Sequence, residues 1–366
     1  MSSMRVAVLA MGWTGYNDAA FKALTRLGVE VLVITHATTP DTAFTTATVP
    51  AYAELHELPQ EPDGEAIAAR LRAFAPDAVL VHSWHLPYFR AALKALPAGT
   101  LKVLWMDNVW RNTPKQWVGR AVAPWWVRSL YDAVMVPSDR TEFFARRLGF
   151  GEGDVIRGSL SADTELFGSE PVEGTELRER ARFIACLRLV EHKGAAVLAE
   201  AYRRYRASSA GSGSTPWELS VVGIGPLASS FEGIDGVTMH GFQQPADVAK
   251  LMRTASCLVV PSREEPYGVV LHEGAVSALP IVSTYFVGAA PMYVQDGQNG
   301  WTVPGDDIDA LAVAMGRVAA QDDAALGAMS HVSRALGSRI TSDGWARNIR
   351  DQVEWRVRTL RKGGAR

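Results

Sequence analysis

The 366-residue sequence predicts an α/β protein of two domains, each built on a parallel sheet with helices on both faces. Three observations lead there. The chain is longer than one ordinary hydrophobic core sustains. Short apolar runs alternate with helical patterns from the first residues onward, which is the signature of strand, crossover helix, parallel strand. A polar segment, Gly168-Ser-Glu-Pro-Val-Glu-Gly174, splits that alternation into two sets and reads as a linker.

Composition narrows the classes. With 48% apolar and 21% charged residues the chain is an ordinary globular protein, and its net charge of −2 excludes a surface built as a whole for nucleic acid. No apolar run reaches the roughly 18 residues a membrane span needs. The apolar run at the amino terminus is short and reads as a first strand instead of a secretory signal. The two cysteines, Cys186 and Cys257, both fall in apolar runs. They read as small core residues of a reducing compartment, so a cytoplasmic location is expected, with contact at the inner face of the membrane as an extension of it.

In the first half, a strand over 5–10 leads into Gly12-Trp-Thr-Gly-Tyr16, a helix over 18–27 ends at Gly28, and a strand over 29–34 follows. A dinucleotide site does not fit. The glycines are spaced Gly12-x-x-Gly15, and Thr35-His36 stands where a ribose-binding acid belongs. Gly12 stays a candidate for close backbone approach to a ligand. Helices over 64–73, 88–96 and 116–131 then alternate with strands over 78–82, 101–106 and 133–136. Ligands bind at the carboxyl ends of such strands. That places His82-Ser-Trp-His85 and Asp107-Asn108 among the candidates, with a hydrogen-bonded core-edge role as the other reading of the histidines.

Residues 108–131 carry four Trp and four Arg or Lys with no acid. This mixture suits a membrane interface or an anionic acceptor. A core-facing helix with buried tryptophans is the alternative, and Pro124 is expected to kink or interrupt the helix.

In the second half a strand over 182–187 opens into Arg188-Leu-Val-Glu-His-Lys-Gly194, where Arg188 and Lys193 offer a planar fork and a point charge for a diphosphate. A strand over 218–222 ends in Gly223-Ile-Gly225-Pro226, which lets a ligand approach the backbone. Residues 208–215 read as a flexible surface loop. Strands over 237–240, 257–260 and 281–283 and a helix over 246–254 follow. After the strand over 257–260 comes Glu265-Pro-Tyr-Gly-Val-Val-Leu-His-Glu273, a loop and then a helix starting near 267 or 268. Gly268, Val269 and Val270 would present the free N–H groups of that helix start to a phosphate. Asp307-Ile-Asp309 has the form of a metal-binding pair, but it directly precedes a helix over 310–319 and reads as a cap. No metal site is expected. The last helix, over 342–360, has Trp345, Ile349, Val353 and Val357 near one face, and residues 361–366 read as a disordered tail.

These stretches together resemble the retaining glycosyltransferases of family four. The resemblance rests on the E-x7-E spacing of Glu265 and Glu273, the R-L-x-x-x-K-G loop at 188–194, the glycine loop at 223–226, and Ser161-Ala-Asp-Thr-Glu-Leu-Phe167. It implies a GT-B fold, two Rossmann-like domains facing across a cleft: an acceptor domain over 1–168, a nucleotide-sugar donor domain over 169–337, and a final helix over 338–366 crossing back to the first. It implies that Arg188 and Lys193 hold the donor's diphosphate, with N–H groups of Gly268 and Val269 assisting. Glu265 would bind hydroxyls of the donor sugar and Glu273 the ribose. Asp107 or His85 would serve at the donor sugar from the first domain. Two positions depart from the pattern: Leu187 replaces the usual glycine before Arg188, and Met292 stands where an acid is common.

The expected activity is a retaining, metal-independent glycosyl transfer in carbohydrate biosynthesis. The donor is a nucleotide-diphosphate sugar, UDP or GDP foremost, the acceptor a glycan, lipid or small molecule, and no cofactor is needed. A sugar-nucleotide epimerase, a phosphorylase and a non-catalytic nucleotide-sugar-binding protein are the competing readings. The sequence says nothing of the oligomeric state.

Overall fold

The computed structural model describes residues 3–36, 49–158, 160–211 and 213–363. The chain forms two compact units. One takes the chain up to Ser161 and again from Thr341, and the other runs from Ala162 to Ile340.

The first unit contains β1 (Arg5–Ala10), α1 (Gly15–Arg26), β2 (Glu30–His36), β3 (Glu54–Leu58), α2 (Gly64–Phe74) and β4 (Ala78–Val81). It continues with α3 (Pro87–Lys94), β5 (Leu101–Trp105), α4 (Pro114–Trp126), β6 (Ala133–Val136), α5 (Asp139–Arg147) and β7 (Val155–Arg157). Among the described residues its sheet is parallel in the order β3-β2-β1-β4-β5-β6-β7. β1, β4 and β6 are buried almost throughout, as continuous runs of Val, Leu, Ala and Met must be when helices cover both faces.

The second unit contains α6 (Gly174–Arg180), β8 (Arg182–Cys186), α7 (Ala195–Gly211), β9 (Glu218–Val222), β10 (Val237–Gly241), α8 (Pro245–Arg253) and β11 (Cys257–Val260). Beyond these lie α9 (Val269–Val276), β12 (Ile281–Thr284), α10 (Ala290–Tyr293), β13 (Gly300–Val303), α11 (Ile308–Ala319) and α12 (Asp323–Gly337). Its sheet is again parallel, in the order β10-β9-β8-β11-β12-β13. The last helix, α13 (Ser342–Gly363), belongs to the first unit.

Three strands that the apolar alternation does not predict, β3, β7 and β13, all lie at sheet edges. An edge strand is short and half-solvated, so it lacks the continuous apolar run that marks the interior ones. Helices α5, α6, α7, α10 and α12 likewise fill connections that apolar alternation does not mark. Residues 208–211 are not loop but the last turn of α7, and the helix over 361–363 extends α13 into the expected tail. The rest of that tail, 364–366, and Ser212 lie outside the described residues.

The units divide at 161/162 and 340/341 where the sequence reading puts the divisions after 168 and 337. Hydrogen bonds explain the earlier crossing. Ser169 N–H donates to the Val276 carbonyl at 3.0 Å, Ser277 Oγ to the Phe167 carbonyl at 2.9 Å, and Arg253 to the Leu166 carbonyl at 2.6 Å.

The buried face of α13 carries Trp345, Ile349, Val353 and Val357, and the helix packs on α1 and β5. Trp345 meets Phe21 edge to face at 5.3 Å, and Asp343 pairs with Arg26 at 2.6 Å. Arg356, buried in the same unit, donates to the carbonyls of Gly153 at 2.8 Å and Val155 at 3.0 Å. Trp345→Ala should therefore destabilise the first unit by about 3–5 kcal/mol, the range for deleting a buried aromatic side chain. Urea unfolding measures it, and a loss under about 1 kcal/mol would mean that α13 adds little to that unit's core.

Candidate active site

The sheet of the second unit reverses its winding between β8 and β11. The chain fills β9 and β10 on one side of β8, then returns to lay β11, β12 and β13 on the other. Loops leaving the carboxyl ends of β8 and β11 must diverge, which opens a crevice there. The second-unit candidates of the sequence reading lie on this end of the sheet.

Lys193 sits on a short 3-10 turn, Glu191–Lys193, after β8, and Glu265 on the loop after β11. Lys193 Nζ donates to Glu265 Oε2 in a pair whose side chains are only 15% and 18% exposed. Backbone bonds hold both loops in place. The His192 carbonyl accepts from Arg263 N–H at 3.0 Å and Glu264 N–H at 3.1 Å, while the Glu265 carbonyl accepts from Gly288 N–H at 3.0 Å. The loops after β8, β11 and β12 are therefore laced into one rim. Arg188 is exposed on this rim, its Nη2 3.3 Å from His192 Nε2. Burial, followed by the charges of Lys193 and Arg188, holds His192 below its ordinary pKa, which suits a neutral ring accepting from the guanidinium.

Gly223 and Gly225 serve a purpose the sequence does not disclose. The loops after β8 and β9 run side by side, with Leu187 N–H donating to Val222 and Leu189 N–H to Ile224, both at 2.9 Å. A Cβ on Gly223, at φ +138°, would stand 1.9 Å from the Leu187 carbonyl oxygen, and one on Gly225 2.4 Å from that of Leu189. What approaches these glycines closely is the neighbouring loop.

Gly268 occupies the N-cap of α9 in the left-handed region at φ 88°. A side chain there would strike Val287 Cγ1 at 2.6 Å and Glu265 Cγ at 2.9 Å. Val269 and Val270, the first residues of α9, remain partly accessible, and as helix-start residues their N–H groups have no partner within the helix.

Glu273 lies in α9 and keeps part of its surface accessible. Burial pushes its carboxyl up to about 7, with the charge of Asp163 adding to the shift. Cys186, at the end of β8, is half-buried, unlike the fully buried Cys257. Its thiol is pushed up by burial and secondarily by Glu273, so it stays protonated.

Between the two glutamates, His272, which carries no sequence signal of a role, is fully buried and satisfied at both nitrogens. Nδ1 accepts from Ala162 N–H and Nε2–H donates to the Gly337 carbonyl, each at 2.9 Å. The ring stacks on Tyr293 at 4.6 Å with 8° between planes. Burial pushes it down to about 4. Nothing in local sequence could have marked it, because its partners lie 110 and 65 residues away. Asp307 accepts from Ala310 N–H at 2.8 Å as the cap of α11, and Asp309 pairs with Arg204 at 2.5 Å.

In the first unit the equivalent reversal lies between β1 and β4. Gly12, His85 and Asp107 follow the carboxyl ends of the neighbouring strands β1, β4 and β5, which places them along one edge. Gly12 and His85 are exposed and Asp107 half-buried. A Cβ on Gly12 would meet nothing within 4 Å, so its backbone is open to approach. His82 stands beside them with its ring against Trp105 at 5.5 Å. Burial lowers its pKa first, Asp107 opposes the shift, and His85 adds to it.

Residues 16–157 match the family model described as glycosyl transferase 4-like domain, and residues 180–321 the model described as glycosyl transferases group 1. Among curated relatives, the D-inositol 3-phosphate glycosyltransferases of Mycobacterium marinum and Streptomyces griseus are 29% and 32% identical over 123 residues. That stretch is 34% of this chain but only 26% and 25% of those relatives' own lengths. Among solved structures, Anabaena HepE in complex with UDP and glucose superposes with a TM-score of 0.74 at 17% identity, over 96% of this chain and 99% of that one. A glycosyltransferase from Rickettsia africae superposes with a TM-score of 0.75 at 13% identity, over 96% and 98%. The fold is thus that of the GT-B glycosyltransferases, two parallel-sheet Rossmann-like units.

The His272 pin has a pH signature. Its folded pKa of about 4 lies below the ordinary 6.5, so the unfolded chain takes up a proton first as pH falls. Its contribution is whole above pH 6.5 and is lost on acidification towards pH 4, amounting to about 3 kcal/mol across that window. His272→Gln should lack this dependence. Urea unfolding of both proteins from pH 7.5 to 4 checks it; Glu273 titrates in both and cancels, and a stability difference independent of pH would refute the neutral pin.

Proposed function

From the premise that this chain joins a glycosyl transferase 4-like first half to a group 1 glycosyl transferase second half, we propose that it is a retaining glycosyltransferase drawing on a nucleotide-diphosphate sugar. One observation carries the donor assignment. The loops after β8 and β11 gather two cations, Arg188 and Lys193, and the start of α9 around a carboxylate, Glu265, that Lys193 fixes in place. This is the inventory a sugar diphosphate asks for: positive charge for the phosphates and an oriented acceptor for sugar hydroxyls. Solved neighbours holding UDP with glucose, or UDP-2-fluoro glucose, support a UDP-sugar as the first donor to try.

In this reading Arg188, Lys193 and the N–H groups of Val269 and Val270 stabilise the charge that builds on the leaving diphosphate. Glu265 accepts from hydroxyls of the donor sugar and Glu273 from the ribose. The bond from the anomeric carbon to the phosphate oxygen breaks, and the acceptor oxygen bonds to that carbon on the same face. The acceptor's proton passes to the departing phosphate oxygen, so no side chain has to act as nucleophile. Because side chains and a helix start supply the positive charge, the transfer is proposed to need no metal ion. Acceptor recognition is assigned to the first unit, with Asp107 and His85, which follow the carboxyl ends of β5 and β4, as its candidate residues.

A thermal-shift screen of UDP-, GDP-, ADP- and dTDP-sugars tests the donor. The right one at a hundred times its Kd should stabilise the fold by about 2.7 kcal/mol, and a screen with no shift would remove the reading. With that donor, Lys193→Ala and Arg188→Ala should each lower kcat by about 10²–10³, while EDTA leaves the wild type unchanged. Product in which the sugar is isomerised without an acceptor would instead favour an epimerase.

Glu273 adds a pH test. Ionised, it accepts from two ribose hydroxyls at once and more strongly than the acid does, and its free carboxyl titrates at about 7, so Kd for the donor should rise as pH falls below 7. The limit is about tenfold per pH unit. Calorimetric titration should show this for the wild type and a flat profile for Glu273→Gln; the same slope in both would assign the titration elsewhere.

A further inference from the structure

The helix α4 is unlike the others of its unit in what it turns outward. Of its residues only Ala123 is buried. At about 100° per residue, the side opposite Ala123 carries Pro114, Trp117, Val118, Ala121, Val122 and Trp125, which is an apolar stripe. Those side chains are in solvent: Trp117 is 47% exposed, Val118 65%, Val122 42% and Trp125 77%. The sequence left open whether these tryptophans pack into a core, and the structure decides against it. The helix also runs through Pro124 without ending, from Pro114 to Trp126 instead of the expected 116–131.

Basic side chains border the stripe. Lys115 and Arg120 are exposed on its two flanks, with the Arg120 guanidinium 5.3 Å from the Trp117 ring. Arg147 of α5 lies 4.7 Å from the ring of Trp110, 5.9 Å from that of Trp117 and 4.5 Å from that of Phe143, itself 51% exposed. No acid occurs anywhere over 108–131. The nearest acid of α5 along the chain from Phe143, Glu142, is engaged by Arg146 at 2.9 Å and Arg157 at 2.6 Å.

We propose that this face of α4, extended by Phe143, docks in the plane of an anionic lipid bilayer. An apolar stripe edged by cations matches a bilayer's layering, acyl chains below and anionic headgroups above. Tryptophan suits that boundary, with an apolar body and one polar N–H. Arginine and lysine on the flanks extend towards phosphates while their stems cover apolar surface. Among the described residues no helix is long and apolar enough to cross a membrane, so the contact lies on the surface. A second copy of the chain is the rival occupant. It fits less well, since a self-paired face would set its cationic borders against each other. The proposal stands on the first unit alone and does not rest on the donor chemistry.

Flotation with phosphatidylcholine vesicles, with and without phosphatidylglycerol, tests it in the absence of nucleotide sugar, so neither outcome bears on the transferase reading. The wild type should float with the anionic vesicles at low salt. Binding should fall as the Debye length shrinks from about 30 Å to 3 Å, and tryptophan emission should shift to the blue on binding. Val118→Asp with Trp125→Asp should weaken binding at least about tenfold, the equivalent of 1.4 kcal/mol. Circular dichroism confirms that these solvent-exposed changes leave the fold intact. Lys115→Gln with Arg120→Gln, which spares the apolar stripe, should flatten the salt dependence. No flotation of the wild type, or equal flotation of the Asp variant, overturns the proposal. So does self-association in sedimentation velocity that the Asp variant abolishes, which would assign the face to a second copy.

Discussion

Parallel strands can be joined only by crossovers of one hand, and this constraint governs both halves of the chain. Once β1 and β8 are laid centrally, the chain must build outward on one side and then return to build on the other. The return leaves one place in each sheet where successive loops turn apart. In the second unit it falls between β8 and β11, and Lys193 and Glu265 sit on those two loops. The site is a consequence of strand order before it is a property of any side chain.

What fills that place is shaped by desolvation. Lys193 and Glu265 are mostly covered, so each depends on the other in a way a surface pair does not. Their pairing holds the carboxylate still and keeps a cation on the rim. Among the described residues Glu273 has no such ion pair, and burial together with the charge of Asp163 holds its proton up to about neutrality. Two glutamates eight positions apart in one motif thus sit in different surroundings, Glu265 in an ion pair with Lys193 and Glu273 on α9 near Asp163. The glycines of the neighbouring loop belong to the same construction. Gly223 and Gly225 allow two backbones to touch, so the loops after β8 and β9 hydrogen-bond side by side.

The first unit shows the opposite economy at α4. Folding usually hides tryptophan, since burying an aromatic side chain is among the largest single gains available to a core. Here β5 and β6 are already covered, Ala123 supplies the contact, and the helix's apolar stripe is left in water. An exposed stripe of this kind is costly in solubility unless something covers it.

The sequence by itself determined the α/β class, the parallel interior strands, the division into two sheets and the loops that bear the candidate residues. Those are local matters, fixed by apolar runs, helix periodicity, glycine and linker composition over a few residues at a time. It could not determine the edge strands β3, β7 and β13, whose half-wet residues lack a pattern. Nor could it show His272, whose role exists only because Ala162 and Gly337 come to it from far along the chain. The direction in which the α4 tryptophans face was open for the same reason. An amphipathic pattern gives a helix two sides, and only packing against the rest of the fold decides which side meets the core and which meets the solvent.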